Sequence, residues 1–111
     1  MVDQPSQIVV KFWGTRGSIP SPGADTVKYG GNTSCVEITF GNNNRIVLDA
    51  GSGIRLLGEE LMRTNRPIEM NLFLSHFHWD HIQGLPFFIP FYMPGNRLHI
   101  WGAESVCTSL E

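Results

Sequence analysis

The feature that most constrains this chain is a dense run of metal-ligand side chains directly after an apolar segment. Residues 75–84 read Ser-His-Phe-His-Trp-Asp-His-Ile-Gln-Gly, so that His76, His78, Asp80 and His81 place three imidazoles and a carboxylate within six positions. Zn²⁺, Mn²⁺ and Fe²⁺ prefer such ligands, and four of them on one loop stay unsatisfied unless a cation gathers them. The run therefore predicts a metal site. A His-rich surface loop without metal is the alternative.

The spacing of these ligands indicates two metal positions. If a strand over residues 70–75 delivers the run, His76 and His78 lie on the same side of the extended backbone, because side chains alternate along a strand. Asp80 and His81 follow where the chain turns toward a helix. In two-metal hydrolases the ions lie about 3.5–4 Å apart and share a water, so one short loop can serve both ions.

The chain resembles the metallo-β-lactamase superfamily over nearly its whole length. The resemblance is carried by the His-x-His-x-Asp-His run and by three upstream segments: Phe-Trp-Gly-Thr-Arg-Gly-Ser-Ile-Pro at 12–20, Tyr-Gly-Gly-Asn-Thr-Ser-Cys at 29–35, and Leu-Asp-Ala-Gly-Ser-Gly at 48–53. The first two are similar to the opening of the branch that holds tRNA 3′-processing endonucleases and cyclic phosphodiesterases. The third is similar to the superfamily's aspartate at a strand end.

This resemblance implies an α/β (α+β) fold, namely the N-terminal half of an αββα sandwich with a mainly antiparallel or mixed sheet and helices on one face. It implies two divalent metal ions, Zn²⁺ first and Mn²⁺ or Fe²⁺ as alternatives. His76 and His78 would hold the first ion, and Asp80 and His81 the second. The function implied is a metal-dependent hydrolase of the phosphodiesterase type, in which Asp80 also aims a metal-activated hydroxide. Asp49 would brace the metal loop.

The chain departs from the superfamily pattern downstream. The superfamily adds a histidine, a bridging aspartate and a last histidine, whereas the only histidine after His81 is His99, in a strand-like segment that does not match. We therefore expect residues 1–111 to form a partial domain that requires a C-terminal half or a homo-oligomer partner, and whether this chain is itself an enzyme stays open.

Two other functions stay open. One is an iron-dependent redox enzyme on the same fold, although the di-iron branch has Glu where this chain has His78. The other is a non-catalytic metal-binding fragment or assembly half. The substrate expected is a phosphodiester or another small molecule, with nucleic acid possible.

Composition bears on partners and location. Charged residues make up 16% of the chain, below the roughly 25% typical of globular proteins, so apolar surface is left for a partner. The net charge of −2 argues against a broad nucleic-acid-binding face. Residues 1–7 lack the charged and apolar regions of a signal peptide, and no apolar run is long enough to span a membrane. The sequence thus predicts a cytoplasmic protein without a membrane partner.

The order of elements follows from pattern and turn residues. We predict strands over 8–13, 33–40, 45–49, 70–75 and 97–101, with a hairpin turn at Gly41-Asn42-Asn43-Asn44 and the fourth strand buried on both faces. A helix capped by Ser52 presents Ile54, Leu57 and Leu61 and ends by Asn65 and Pro67. A second helix is expected over 103–110.

Single residues outside the ligand run have two interpretations each. Asp49 either holds a ligand in orientation or makes an Asx turn. Arg16 and Lys28 contact a phosphate or are solvated loop charges. Five aromatic residues form core or pocket wall rather than a base-stacking surface: Trp79, Phe87, Phe88, Phe91 and Tyr92. Cys35 and Cys107 are expected to be packing residues.

Overall fold

The computed structural model describes residues 7–103. The strands are β1 (Val9–Gly14), β2 (Cys35–Phe40), β3 (Asn44–Leu48), β4 (Glu69–Leu74) and β5 (Arg97–Gly102). The helices are α1 (Ile54–Met62) and the single-turn α2 (Trp79–Ile82), and 3₁₀ turns cover Ala24–Thr26, Leu85–Phe87 and Ile89–Tyr92.

The five strands form one mixed sheet in chain order, β1-β2-β3-β4-β5. β2 runs antiparallel to both β1 and β3, while β4 runs parallel to both β3 and β5. The predicted hairpin between β2 and β3 is confirmed, and Gly41 and Asn43 both adopt the positive φ that its turn requires. The fold is α+β, with a mixed sheet as predicted.

One face of the sheet, the inner face, carries the core. Cys35, Val47, Met70 and Leu72 point from β2, β3 and β4 toward Ile54, Leu57 and Leu61 of α1, and Phe88 closes the cluster. The predicted apolar stripe of α1 is therefore confirmed. Cys35 is fully buried, and burial raises the pKa of its thiol far above the ordinary value, in agreement with a packing role.

The opposite face of the sheet, the outer face, is uncovered by the described part of the chain. Phe12, Phe73 and Trp101 alternate with inner-face residues along their strands and remain 66%, 40% and 54% exposed. The prediction that the fourth strand is buried on both faces is therefore wrong. Its apolar residues face a helix layer on one side and solvent on the other.

Two further details of the helices differ from the sequence prediction. Ser52 does not cap α1, because Gly53 is the N-cap residue and no side chain bonds there. The Ser52 hydroxyl instead accepts a hydrogen bond from the Thr33 amide and donates one to Asn32 Oδ1. α1 also ends at Met62, three residues before Asn65. The predicted helix over 103–110 lies outside the described residues beyond its first position, as does Cys107.

Across residues 7–103, none of the helices has the length and apolar character needed to cross a membrane.

Candidate metal centre

The ligand run lies at the sheet edge where β3 and β4 end side by side. β3 and β4 are parallel, so their carboxyl ends meet at one edge, and the Asp49 amide donates to the Phe73 carbonyl oxygen at 2.8 Å. His76 and His78 follow β4 in the connecting segment, whereas Asp80 and His81 lie within α2. The topology therefore brings Asp49, which is distant in sequence, against the run.

Asp49 holds the run in place through both carboxylate oxygens. Its Oδ1 accepts hydrogen bonds from the amide and hydroxyl of Ser75 at 2.7 and 2.9 Å, and its Oδ2 lies 2.9 Å from Nδ1 of His81. The side chain is nearly buried, and the backbone adopts a φ of 66°, a left-handed conformation in which Asp is enriched among non-glycine residues. These contacts agree with the expected bracing of the loop rather than with an Asx turn alone.

His81 is oriented by this contact. With Nδ1 directed at Asp49, its Nε2 lies 3.3 Å from Oδ2 of Asp80. Two ligands of one tetrahedral zinc ion, each about 2.0–2.1 Å from the metal, are about 3.3 Å apart. The separation of Asp80 and His81 therefore fits the sharing of one ion.

His76 and His78 also come together. Their ring centroids are 4.5 Å apart in an edge-on arrangement, and the His76 ring lies 4.1 Å from that of His81. Nδ1 of His76 is 2.9 Å from the Ser75 hydroxyl oxygen, which leaves its Nε2 for another partner. The three imidazole rings of the run therefore lie next to one another.

The ligand set is incomplete in the described part of the chain. Within residues 7–103, no group of three or more His, Cys, Asp or Glu side chains is arranged to hold one metal ion. The donors present thus fit a divalent cation in chemistry and, for Asp80 and His81, in separation. His99 is elsewhere, on β5, with its Nε2 3.4 Å from Oε1 of Glu69.

Asp80 is also tied to the first loop of the chain. The Ser18 amide donates a hydrogen bond to Oδ2 of Asp80 at 3.1 Å. This bond lowers the pKa of the Asp80 carboxyl group. The nearby His81 and His76 lower that pKa further, whereas desolvation of the carboxylate opposes the shift. Sequence reasoning missed Ser18. Its only signal is its place in the glycine-rich segment that carries the resemblance.

Two glycines allow the two loops to approach closely. The Ala50 amide donates to the His81 carbonyl oxygen at 2.8 Å, and the Gly84 amide donates to the Ala50 carbonyl oxygen at 2.9 Å. A Cβ atom at Gly84 would overlap the Gly51 carbonyl, and one at Gly51 would overlap the backbone of Asp80 and Thr33. Gly51 and Gly84 are positioning residues that sequence reasoning missed, although a run of small residues after Asp49 is typical of close backbone approach.

The two candidate phosphate contacts lie in that first loop. Arg16 donates from Nε to the Ile19 carbonyl oxygen at 3.0 Å, and Lys28 lies over the Tyr29 ring at 5.2 Å from its centroid. Both line a cavity of about 230 Å³. Each side chain therefore makes an intramolecular contact and also lines the cavity.

The aromatic stretch divides between core and surface. Phe88 is fully buried in the core, and Phe87 is exposed. Trp79, Phe91 and Tyr92 line a mainly apolar cavity of about 420 Å³ next to the ligand run. Phe87 therefore departs from the expectation of core or pocket wall, which the other four aromatic residues match.

Comparisons with family models, with curated proteins and with solved structures found no match to this chain. The interpretation of the site therefore rests on the geometry above and on the motif resemblance.

Proposed function

We propose that residues 76–81 form the ligand half of a dinuclear metal centre of the metallo-β-lactamase type, and that the centre serves a metal-dependent hydrolase of the phosphodiesterase branch. The single observation that carries this proposal is the chain of contacts from Asp49 through His81 to Asp80. Metal-ligating histidines almost always direct their second ring nitrogen at a carboxylate or carbonyl, which fixes the tautomer and leaves the other nitrogen for the metal. His81 has this arrangement.

Each side chain has a distinct role in this proposal. His76 and His78 hold the first ion, and Asp80 and His81 hold the second. Bound divalent ions lower the pKa of coordinated water and stabilise the negative charge that develops at a phosphoryl centre. Asp80 remains an ionised carboxylate, because the Ser18 amide and the neighbouring histidines lower its pKa. It therefore accepts a hydrogen bond from the attacking water and directs it. Asp49 and Ser75 keep the ligands in orientation without touching substrate.

The proposal includes further ligands from outside the described residues, because within residues 7–103 no three donor side chains are arranged to hold one ion. A C-terminal half of this superfamily's domain, fused after Glu111 or added in trans, would supply them. Phosphodiesters are the substrate class favoured by the resemblance of the first loop to the phosphodiesterase branch.

The test is a hydrolysis assay with bis(p-nitrophenyl) phosphate and a β-lactam on the same plate, in the presence of Zn²⁺ or Mn²⁺. The 111-residue chain alone is expected to act no faster than the free ions. The complemented chain is expected to hydrolyse the diester, and Asp80→Ala to abolish this activity while His99→Ala retains it.

Two results would overturn the proposal. Robust diesterase activity of the isolated chain would show that its own ligands suffice. Turnover of the β-lactam by the complemented chain, without diesterase activity, would overturn the branch assignment.

A second candidate is a metal-binding fragment without catalysis, which is favoured because within residues 7–103 no three donors are arranged to hold one ion. This second candidate predicts that metal uptake depends on His81. It also predicts no diesterase activity when the chain is complemented with a C-terminal half.

A further inference from the structure

The Ser75 hydroxyl lies between two other side chains of the site, the Asp49 carboxylate and the His76 ring. Its Oγ is 2.9 Å and 2.8 Å from Oδ1 and Oδ2 of Asp49, and 2.9 Å from Nδ1 of His76. The Ser75 amide donates a further hydrogen bond of 2.7 Å to Oδ1 of Asp49, so both the backbone and the side chain of the serine contact the carboxylate. The side-chain contacts meet at one hydroxyl oxygen, which carries a single hydrogen.

The single hydrogen of this hydroxyl decides which partner donates in each contact. An ionised carboxylate only accepts hydrogen bonds, whereas a hydroxyl donates one and accepts others. Two oxygen atoms 2.8 Å apart repel each other if no hydrogen lies between them, so the Ser75 hydrogen points at Asp49. The contact between Ser75 and His76 is therefore made by a hydrogen on Nδ1 of the ring, which donates to the Ser75 oxygen.

This direction of donation selects one tautomer of His76. A neutral imidazole carries one N–H, and the hydrogen bond that one ring nitrogen makes decides which nitrogen keeps the lone pair. With Nδ1 donating to Ser75, the lone pair lies on Nε2. The His76 ring is exposed, so water can contact either nitrogen and burial does not choose between the tautomers. The Ser75 hydroxyl makes that choice.

The same carboxylate contacts a second histidine of the ligand run. Oδ2 of Asp49 lies 2.9 Å from Nδ1 of His81, whose Nε2 lies 3.3 Å from Oδ2 of Asp80. Asp49 therefore contacts His81 directly and reaches His76 through Ser75. The Asp49 side chain is nearly buried, so water competes little for its oxygens and both contacts have a fixed acceptor.

From these observations we infer that Ser75 is a positioning residue that sets the tautomer of His76. Its hydroxyl donates to Asp49, accepts from Nδ1 of His76, and leaves Nε2 of that ring with the lone pair. One carboxylate thus fixes the free nitrogen of one histidine in each of the two proposed ion positions, His76 in the first and His81 in the second. The tautomer of His76 does not depend on a bound metal, whereas its part in metal binding rests on the proposed function.

Nuclear magnetic resonance of the ¹⁵N-labelled imidazoles in the metal-free full chain tests the tautomer directly. At about pH 8.5, above the ordinary pKa of imidazole, the spectra report which ring nitrogen carries the hydrogen. The wild type is expected to show Nδ1–H at both His76 and His81. Ser75→Ala is expected to lose this preference at His76 and to keep it at His81, because Asp49 contacts His81 directly. Ser75→Thr retains the hydroxyl and is expected to restore Nδ1–H at His76.

Calorimetric titration with Zn²⁺ tests the consequence for metal binding. Ser75→Ala is expected to raise the dissociation constant about 10-fold to 100-fold, as the loss of a partner of a ligating histidine does, and Ser75→Thr is expected to bind as the wild type does. Equal affinity of Ser75→Ala and the wild type would overturn the role of Ser75 in metal binding.

Two spectral results would overturn the tautomer assignment itself: Nε2–H at His76 in the wild type, or Nδ1–H retained at His76 in Ser75→Ala. The wild-type spectrum decides the assignment even if the alanine variant does not fold. Failure of the proposed function gives a different result. A wild type that binds no Zn²⁺ but shows the expected tautomers would refute the metal centre and support the assignment of Ser75 and His76.

Discussion

At the scale of the residue, the sequence predicts candidate metal ligands but not the orientation of their side chains. The run from His76 to His81 predicts a metal site by composition alone, and the resemblance indicates Asp49. The direction of each ring depends on contacts between residues far apart in sequence, such as Ser18 with Asp80 and Asp49 with His81. Those contacts follow from the pairing of β3 with β4 and from the path of the first loop, which local pattern does not specify.

Asp49 provides the first test at this scale. Asp49→Ala is expected to weaken Zn²⁺ binding about 10-fold to 100-fold, as losses of the hydrogen-bond partner of a ligating histidine do. The reason is that Nδ1 of His81 loses its carboxylate partner, so neither the tautomer nor the ring orientation is fixed. Isothermal titration calorimetry measures the effect, with His99→Ala as the control for loss of a histidine outside the cluster. Equal affinity in Asp49→Ala and the wild type would remove Asp49 from the centre.

At the scale of the element, the sequence predicted whether a segment is a helix or a strand better than it predicted the residues where each element begins and ends. Alternating apolar residues predicted the strands β1 and β2, and an apolar stripe predicted the helix α1, because hydrophobic periodicity reflects burial on one face. The prediction that Ser52 caps α1 was wrong because the Ser52 hydroxyl bonds instead to the Thr33 amide and the Asn32 side chain. These tertiary contacts compete with capping. β4 was assigned two buried faces because its composition does not distinguish a covered face from an exposed apolar one.

The contact between α2 and the loop after β3 gives a prediction at this scale. Gly84→Ala is expected to lower the free energy of unfolding by about 1–3 kcal/mol, the usual cost of overpacking. The added Cβ would overlap the Gly51 carbonyl, which is backbone and cannot rotate away. Urea unfolding followed by circular dichroism measures the change. Gly17→Ala is the control, because a Cβ there meets no atom within 4 Å. Similar stabilities for the two variants would contradict the close approach of the two loops.

At the scale of the whole molecule, the sheet has a helix layer on one face only. Strand order within the sheet follows chain order, so the mixed α+β architecture could be predicted from consecutive elements. The exposed outer face could not be located from the sequence, although the low charged fraction of 16% predicted apolar surface for a partner. Which face carries that surface depends on where α1 and the 3₁₀ turns pack.

Metal binding should stabilise the whole fold, because the contact of Asp49 with Nδ1 of His81, which orients that ligand, forms only in the folded chain. At a free Zn²⁺ concentration 100-fold above the dissociation constant, the expected gain is about 2.7 kcal/mol. Thermal unfolding with and without Zn²⁺ reports this gain, and His81→Ala is expected to reduce it whereas His99→Ala keeps it. Equal stabilisation of the His81→Ala variant would show that His81 does not bind Zn²⁺.

The central claim is that residues 76–81 bind a divalent metal ion with half of a ligand set, and equilibrium dialysis against Zn²⁺ with elemental analysis tests it most directly. Complete structural zinc sites bind with about 10–16 kcal/mol, so half of the ligands should give roughly half of that energy, or dissociation constants of roughly 1–200 µM. We predict saturable uptake in this range by the wild type and by His99→Ala, with loss of uptake in His78→Ala and in His81→Ala. Unchanged uptake in both cluster variants would contradict the ligand assignment, and nanomolar binding of two equivalents per monomer would contradict the half-set.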